Sequence, residues 1–328
     1  MSKHSRRHLL ALAAGLAALP AASRVRAQPA WPTGTVRIIV PFTAGGGTDV
    51  MARILSQWLH QSFGQPFVVE NIGGAGGTIG TTQVASAAPD GYTLLCGTPG
   101  TILINPLIQP GIRYDPQKDL APISQVTDSA IVLIANRNFP PDTVQELIAL
   151  AKQKPGAINF GSSGPGSIED LSGELFKVLA HVDMTHIPYR GTSQSLADLL
   201  AGRLQIVFEN LPAVLGHIQG GEVKAIAIGT AHRSSFLPNL PTIAEAGVPG
   251  YRSSSFLGLL APAKTPQYII DRLHQAVVAA LHDPQTATRL RSLGLELVGN
   301  TPQQFAAYIA DRIALTAKVV QAAHLKQG

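Results

Sequence analysis

Between residues 36 and 229 short apolar runs rich in β-formers alternate with stretches whose apolar residues recur at helical spacing. The strands this pattern predicts are VRIIV (36–40), FVVEN (67–71), YTLLCG (92–97), AIVLIAN (130–136), INFGS (158–162), MTHIPY (184–189), LQIVFEN (204–210) and VKAIAIG (223–229). Most are continuous apolar runs rather than strict alternations. That suits strands buried on both faces, and the strand–helix alternation predicts parallel sheets in an α/β architecture. Helix signals fall between the strands. Thr143 and Glu146 have capping-box spacing ahead of Leu147 and Leu150. Thr265 and Pro266 read as an N-cap and an N1 proline before Ile269, Ile270, Leu273, Val277 and Leu281. From Pro266 the tail reads as helical, apart from a turn near Gly294–Asn300.

Two segments read as passages between lobes. One is Thr127–Asn136; the other is Arg252–Pro262, a strand-like run after the turn residues Pro249 and Gly250. Between them lies a self-contained series of strands and helices with its own glycine loop. The expected organisation is two lobes joined by two crossover segments, with residues 28–128 and 253–328 in lobe 1 and 129–252 in lobe 2.

Residues 1–27 stand outside this pattern. Ser5-Arg6-Arg7-His8-Leu9-Leu10 is a twin-arginine export pattern, followed by the apolar Leu9–Ala22 and the small-residue cleavage site Val25-Arg26-Ala27. As a helix that apolar stretch would rise about 21 Å, short of the ~30 Å hydrocarbon core, so a cleaved export signal is expected rather than a membrane anchor. The absence of a cysteine near the cleavage point excludes a lipoprotein anchor. The expected location of the mature chain is the periplasm.

Removing the signal changes the charge. The full chain of 328 residues carries a formal +5. The signal holds Lys3, Arg6, Arg7, Arg24 and Arg26, five of 25 basic residues, and no acid, which leaves 20 basic against 20 acidic residues. A balanced mature chain gives no reason to expect nucleic acid, which calls for a basic face. The single cysteine, Cys96, lies in an apolar run, so it reads as buried and structural, and no internal disulfide is possible.

Candidate chemistry sits in three strand–loop–helix junctions: PFTAGGGTDV (41–50), ENIGGAGGTIG (70–80) and INFGSSGPGSIEDLSGELF (158–176). A helix N-terminus leaves N–H groups unpaired and carries partial positive charge, so it attracts carboxylate or phosphate. Glycines let a ligand approach the backbone, and hydroxyls at Thr43, Thr48, Thr78, Ser162, Ser163 and Ser167 add neutral donors. Three such loops split between two lobes point to one shared anion site.

A nucleotide fits poorly. Anchoring G-x-G-x-x-G on Gly74 and Gly76 leaves Ile79 where the third glycine belongs, and no Walker lysine follows Gly45–Gly47. A hydrolase elbow is absent because Gly161-Ser162-Ser163-Gly164 is followed by Pro165. His181 and His186 are five apart, wrong for zinc ligands on one helix face, and His60, His274 and His282 fall in helical patterns. No metal or cofactor is expected, and a non-catalytic binding protein is the reading that remains.

The motifs IIVPFTAGGGTDVMAR, ENIGGAGGTIG, APDGYTLLCG, YDPQKDLAPI, INFGSSGPGS, the segment from HIPYRGTSQSLADLLAG to FENLPA, LPTIAEAGVPGY and SSFLGLLAPAKTP occur in order along the mature chain. Together they resemble the Bug family, the TctC-like periplasmic solute-binding receptors of tripartite tricarboxylate transporters. The resemblance implies a type II periplasmic binding protein, a Venus flytrap, that captures a small organic carboxylate and delivers it to membrane subunits, acting as a monomer. Carried over onto this sequence, the ligand-binding positions are Phe42, Thr43, Ala44, Gly45, Gly46 and Thr48 in the first loop; Ala75, Gly76 and Gly77 in the second; and Thr98 after the third strand. Lobe 2 would close with Ser162, Ser163, Gly166 and Ser167, with Tyr189, Arg190, Gly191 and Thr192, and with Glu209 and Asn210. Asp49 is expected to brace the first loop rather than touch the anion. Relatives commonly carry histidine where Asp170 stands, and an aspartate or small residue where Glu209 stands. A Glu209 facing the cleft would disfavour a nearby second carboxylate unless protonated or paired, and favour an amino, amide or hydroxyl group; the alternative is a strand-end carboxylate paired within the lobe, and Arg190 is likewise either a cleft partner for the anion or a surface residue. Two rival outputs remain: a ligand sensor for a signalling partner on the same fold, and an exported hydrolase with an unrecognised nucleophile.

Overall fold

Strand β1 (Val36–Val40) is buried along most of its length because it lies in mid-sheet, with β2 (Phe67–Asn71) on one side and β3 (Thr93–Gly97) on the other. All three run parallel, in the register Val36 to Phe67 and Arg37 to Thr93. The connections are α1 (Gly47–Phe63) and α2 (Thr78–Ala85), the latter preceded by a 3-10 turn at Ala75–Gly77. A π-type turn at Gly100–Ile104 leads into the short α3 (Asn105–Ile108). The computed structural model describes residues 30–189 and 191–322. The unit that begins at Pro32 carries every element named here; the expected export signal and Arg190 lie outside the described residues.

The chain then enters β4 (Leu120–Asn136), a single strand of 17 residues. Its first half, Leu120–Ala130, pairs antiparallel with β9 (Ser254–Pro262). The second half, Ile131–Asn136, pairs antiparallel with β7 (Ile206–Asn210) and β8 (Val223–Ile228). A second parallel set, β6 (Thr185–Pro188), β5 (Asn159–Ser162) and β7, completes the order β2-β1-β3-β9-β4-β7-β5-β6. The other helices are α4 (Val144–Gln153), α5 (Ile168–Ala180), α6 (Thr192–Leu200), α7 (Leu211–Gln219), α8 (Gln267–His282), α9 (Pro284–Arg291) and α10 (Pro302–Ala322), with the two-residue β10 (Glu296–Leu297) pairing β4.

The result is the two-lobed α/β architecture the pattern predicts, with one difference: the sheet is mixed rather than parallel, because β4 and β9 run antiparallel to their neighbours. Lobe 2 packs Phe160, Phe176, Phe208 and Tyr251 at ring separations of 5.7–6.4 Å. Each buried aromatic removes a large apolar area from water, and edge-to-face geometry adds to that gain. The capping box forms as read: Glu146 N–H donates to Thr143, whose own N–H donates to the Glu146 carboxylate. One helix start differs. The helix expected to open at Pro266 opens at Gln267 with Pro266 as its cap, and the Thr265 hydroxyl donates to Pro262 O at 2.7 Å instead. Bonding back to the turn competes with capping for a threonine hydroxyl, and here the turn wins.

Candidate functional site

The loops that follow β1 and β2 leave the carboxyl ends of parallel strands, the usual place for a ligand crevice in α/β sheets. A cleft of about 630 Å³ opens beside them. Gly45 and Thr48 line it from lobe 1, Thr192, Glu209 and Asn210 from lobe 2, and Ser129 and Ser255 of β4 and β9 from behind. Three helices begin at its rim without a side-chain cap: α1 at Gly46, α6 at Gly191 and α7 at Asn210. The first N–H groups of each helix have no intrahelical partner, so the cleft gathers directed donors and partial positive charge from both lobes. Side-chain caps are present on α4, α5 and α9, from Thr143, Ser167 and Asp283, while α2, α3 and α8 also begin without one.

Asp49 holds the first loop in place. Its Oδ2 accepts the Gly45 N–H at 2.9 Å and Arg53 Nε at 3.0 Å, while Oδ1 accepts Asn71 Nδ2 at 3.0 Å. Asn71, at the end of β2, also donates to Phe42 O at 3.2 Å. The Arg53 hydrogen bond, outweighing burial, holds the Asp49 carboxyl below its ordinary range. Thr43 is exposed, with its backbone against Gly73 of the second loop.

That second loop turns toward α3. Asn105 Nδ2 donates to Gly76 O at 2.7 Å, and Ala75 adopts a left-handed backbone with φ 49°. Gly77 (φ 92°) has no room for a side chain, since a Cβ would lie 2.6 Å from Thr101 Cγ2 and 3.1 Å from Pro41 O. Thr98 N–H donates to Thr101 Oγ1. None of Ala75, Gly76, Gly77 and Thr98 lines the cleft, nor do Phe42, Thr43, Ala44 and Gly46.

The hydroxyls of the third loop are engaged with their own neighbours. Ser163 donates to Glu169 Oε2 at 2.7 Å, Ser167 caps α5 by accepting the Asp170 N–H, and Gly166 N–H donates to Asp170 Oδ2 at 2.8 Å. Tyr189 turns its hydroxyl onto Asp198 at 2.6 Å.

Ser162, His186 and Asp170 form a chain that sequence spacing did not reveal. Ser162 Oγ lies 2.6 Å from His186 Nε2, and His186 Nδ1 lies 3.3 Å from Asp170 Oδ1. The second contact lacks hydrogen-bond geometry, leaving Asp170 Oδ1 without a hydrogen bond among the described residues. Burial pushes Asp170 up to about 6 and His186 below its ordinary value. A nucleophile must meet its substrate, yet Ser162 is 0% exposed and accepts the Gly164 N–H at 3.1 Å. The chain braces the loop. Ser162→Ala is therefore expected to cost about 1–2 kcal/mol in urea unfolding and to leave ligand affinity within about threefold. A p-nitrophenyl esterase activity lost with that hydroxyl would reverse this assignment.

Cys96 is buried, and burial pushes its thiol up to about 12, far from nucleophilic character. Sequence reasoning missed the cleft residues Ser129, Ser255 and Leu293–Leu295. They come from crossing strands and a distant turn, where only tertiary pairing brings them to the cleft.

A family model described as the tripartite tricarboxylate transporter family receptor matches residues 51–325. Protein BugT of Bordetella pertussis is 39% identical over 309 residues, covering 94% of this chain and 93% of that protein. Among solved structures, a protein of R. palustris determined with adipate superposes with a TM-score of 0.77 at 38% identity, over 90% of this chain and 99% of that one. MatC of Rhodopseudomonas palustris, with bound malate, gives a TM-score of 0.74 at 34% identity, over 88% and 100%.

Proposed function

The chain belongs to the tripartite tricarboxylate transporter receptor family, and from that membership we propose that it captures a small organic carboxylate between its lobes outside the cytoplasm and delivers it to the membrane subunits of such a transporter. The observation that carries the reading is the cleft itself, where uncapped helix N-termini from both lobes meet and no lysine or arginine is found among the described lining residues. Adipate and malate in the two R. palustris structures support a carboxylate as the ligand class. Among the described residues no helix is long and apolar enough to cross a membrane.

Neutral donors suffice energetically. A hydrogen bond to a charged group contributes roughly 1.5–3 kcal/mol, and micromolar affinity needs about 8 kcal/mol beyond the cost of association. Several N–H and hydroxyl groups around each end of a carboxylate reach that range, and closure strengthens each by excluding water. Such a role needs no acid–base group.

Calorimetry of the mature chain against mono-, di- and tricarboxylates, with mass spectrometry of any co-purified molecule, tests the proposal. At least one carboxylate should bind at micromolar or tighter affinity. Binding of a neutral sugar or a cation with no carboxylate response would overturn it.

A further inference from the structure

Glu209 is next to last in β7 and stands on the lobe 2 wall of the cleft, 1% exposed. Its two oxygens are treated differently. Oε1 accepts the Asn210 N–H at 2.8 Å and, more weakly, Asn210 Nδ2 at 3.4 Å. Oε2 is buried and has no hydrogen-bond partner among the described residues. The Thr192 hydroxyl is close enough to ease the carboxyl's charge but leaves Oε2 unsatisfied.

A second acid makes the contrast plain. Glu169 of α5 has a donor on each oxygen, Asn210 Nδ2 at 2.8 Å and Ser163 Oγ at 2.7 Å. Asn210 therefore serves Glu169 first and leaves Glu209 Oε2 unmatched; among the described residues the Ser129 hydroxyl, on the β4 side of the same cleft, is unpaired as well. The α1 N-terminus, with Gly45 and Thr48, lines the same cleft from lobe 1. The lobe 1 wall offers donors to an anion, and the lobe 2 wall, beside the α6 and α7 N-termini, also holds an acceptor lacking a donor. Buried acceptors are normally satisfied, so an unsatisfied one lining a ligand cavity marks what the ligand brings.

We propose that Glu209 determines specificity in this cleft, selecting ligands that carry an ammonium group as well as a carboxylate, that is, zwitterionic amino acids over dicarboxylates. The inference rests on the reading of the cleft as a carboxylate receptor and adds the chemistry of the ligand's other end. The carboxylate would lie at the α1 N-terminus and the ammonium against Glu209 Oε2.

Among the described residues, the groups beside Glu209 are Glu169 from α5, Thr192 from α6, Asn210 at the start of α7, and the apolar Val132 across from it on β4. Burial, with Glu169 adding repulsion, pushes Glu209 up to about 8. An ammonium stabilises the ionised form, so its binding expels a proton below that range and tightens as pH rises toward it. A second carboxylate would instead require Glu209 to keep its proton, and its binding would weaken as pH rises through the same range.

Calorimetry on the mature chain at about pH 6.5 and about pH 8 would compare matched pairs in which the terminal carboxylate becomes an aminomethyl group: succinate with 4-aminobutyrate, glutarate with 5-aminopentanoate, and adipate with 6-aminohexanoate. Aspartate and glutamate extend the set to α-amino acids. The amino compound of at least one pair should bind about tenfold or more tightly than its dicarboxylate at the higher pH, and more weakly at the lower. Glu209→Gln should weaken that amino compound about thirty-fold and flatten its pH dependence, while dicarboxylate binding survives. The wild-type pairs decide the matter even if the variant folds poorly. Dicarboxylates binding more tightly in every pair, with no amino acid tighter than its matched diacid, would overturn the inference and leave the carboxylate receptor standing. Failure of every carboxylate to bind would remove both.

Discussion

Gly229→Ala is expected to destabilise the folded chain by about 3 kcal/mol and to lower the thermal midpoint by roughly 6–10 °C. Gly229 follows β8 at the point where the chain turns back between the lobes. Its N–H donates to Ile131 O at 2.6 Å, and its own carbonyl accepts the Ser253 N–H at 2.7 Å. A Cβ there would lie 2.7 Å from Ser253 O and 3.1 Å from Ile131 O. Neither obstacle is a side chain that can rotate away, since both are carbonyls on hydrogen-bonded backbone. To admit one methyl group, the two passages between lobes must separate. The same shift changes the angle at which the lobes meet, so ligand affinity should fall along with stability. Differential scanning calorimetry checks the first effect, and a midpoint within about 2 °C of the parent would show that the junction yields more easily than its geometry indicates.

Asp49→Ala should have the largest effect on binding, a loss of about a hundredfold, without contact between Asp49 and the ligand. The carboxylate accepts from Gly45, Arg53 and Asn71, and so ties the first loop to α1 and to the end of β2. Without it the loop must be ordered by the ligand, and ordering several residues at about 1 kcal/mol each accounts for such a loss. The Arg53 side chain is 53% exposed, so the ion pair itself contributes little. Stability should fall by about 2 kcal/mol, chiefly because buried donors lose their acceptor. Asp49→Asn, which keeps one acceptor, should lie between. The pH sign follows from the lowered pKa: Asp49 stabilises the fold above its ordinary carboxylate range, and that contribution is lost as pH falls through the depressed value. Acid titration of the melting temperature should therefore show a shallower decline in Asp49→Ala than in the parent. Equal affinities for a bound carboxylate would dismiss the bracing role.

How far the chain could be read in advance depended on whether the deciding contacts were local. Strands β1 and β2 match their expected limits residue for residue, because each is an apolar run closed by turn residues. Only Ala130–Asn136 of β4 was visible. The preceding half contains Pro122 and several polar residues, and two register shifts, at Pro122/Ser124 and Gln125/Thr127, erase its alternation. Its partner, β9, lies more than a hundred residues along the chain, so pairing and not propensity makes that half a strand. The glycine loops stood out because strand–glycine–helix is a local signature. What their polar atoms do was not legible. Nothing in GSSGPGS indicates that Ser162 meets His186, that Ser163 meets Glu169, or that Ser167 is occupied as a cap. Glu209 stood out as an unusual residue, yet only the fold shows which of its oxygens lacks a donor.

Because β4 runs as one strand from β9 in one lobe to β7 and β8 in the other, its ladder interrupted only by register shifts, the joint has no free swivel. It behaves as a leaf spring. Deflection means twisting and bending a hydrogen-bonded ribbon, whose energy grows roughly with the square of the distortion. Any hinge motion of the two lobes would thus be centred on an angle set by the ribbon, and departing from it would cost mechanical work that is returned on release.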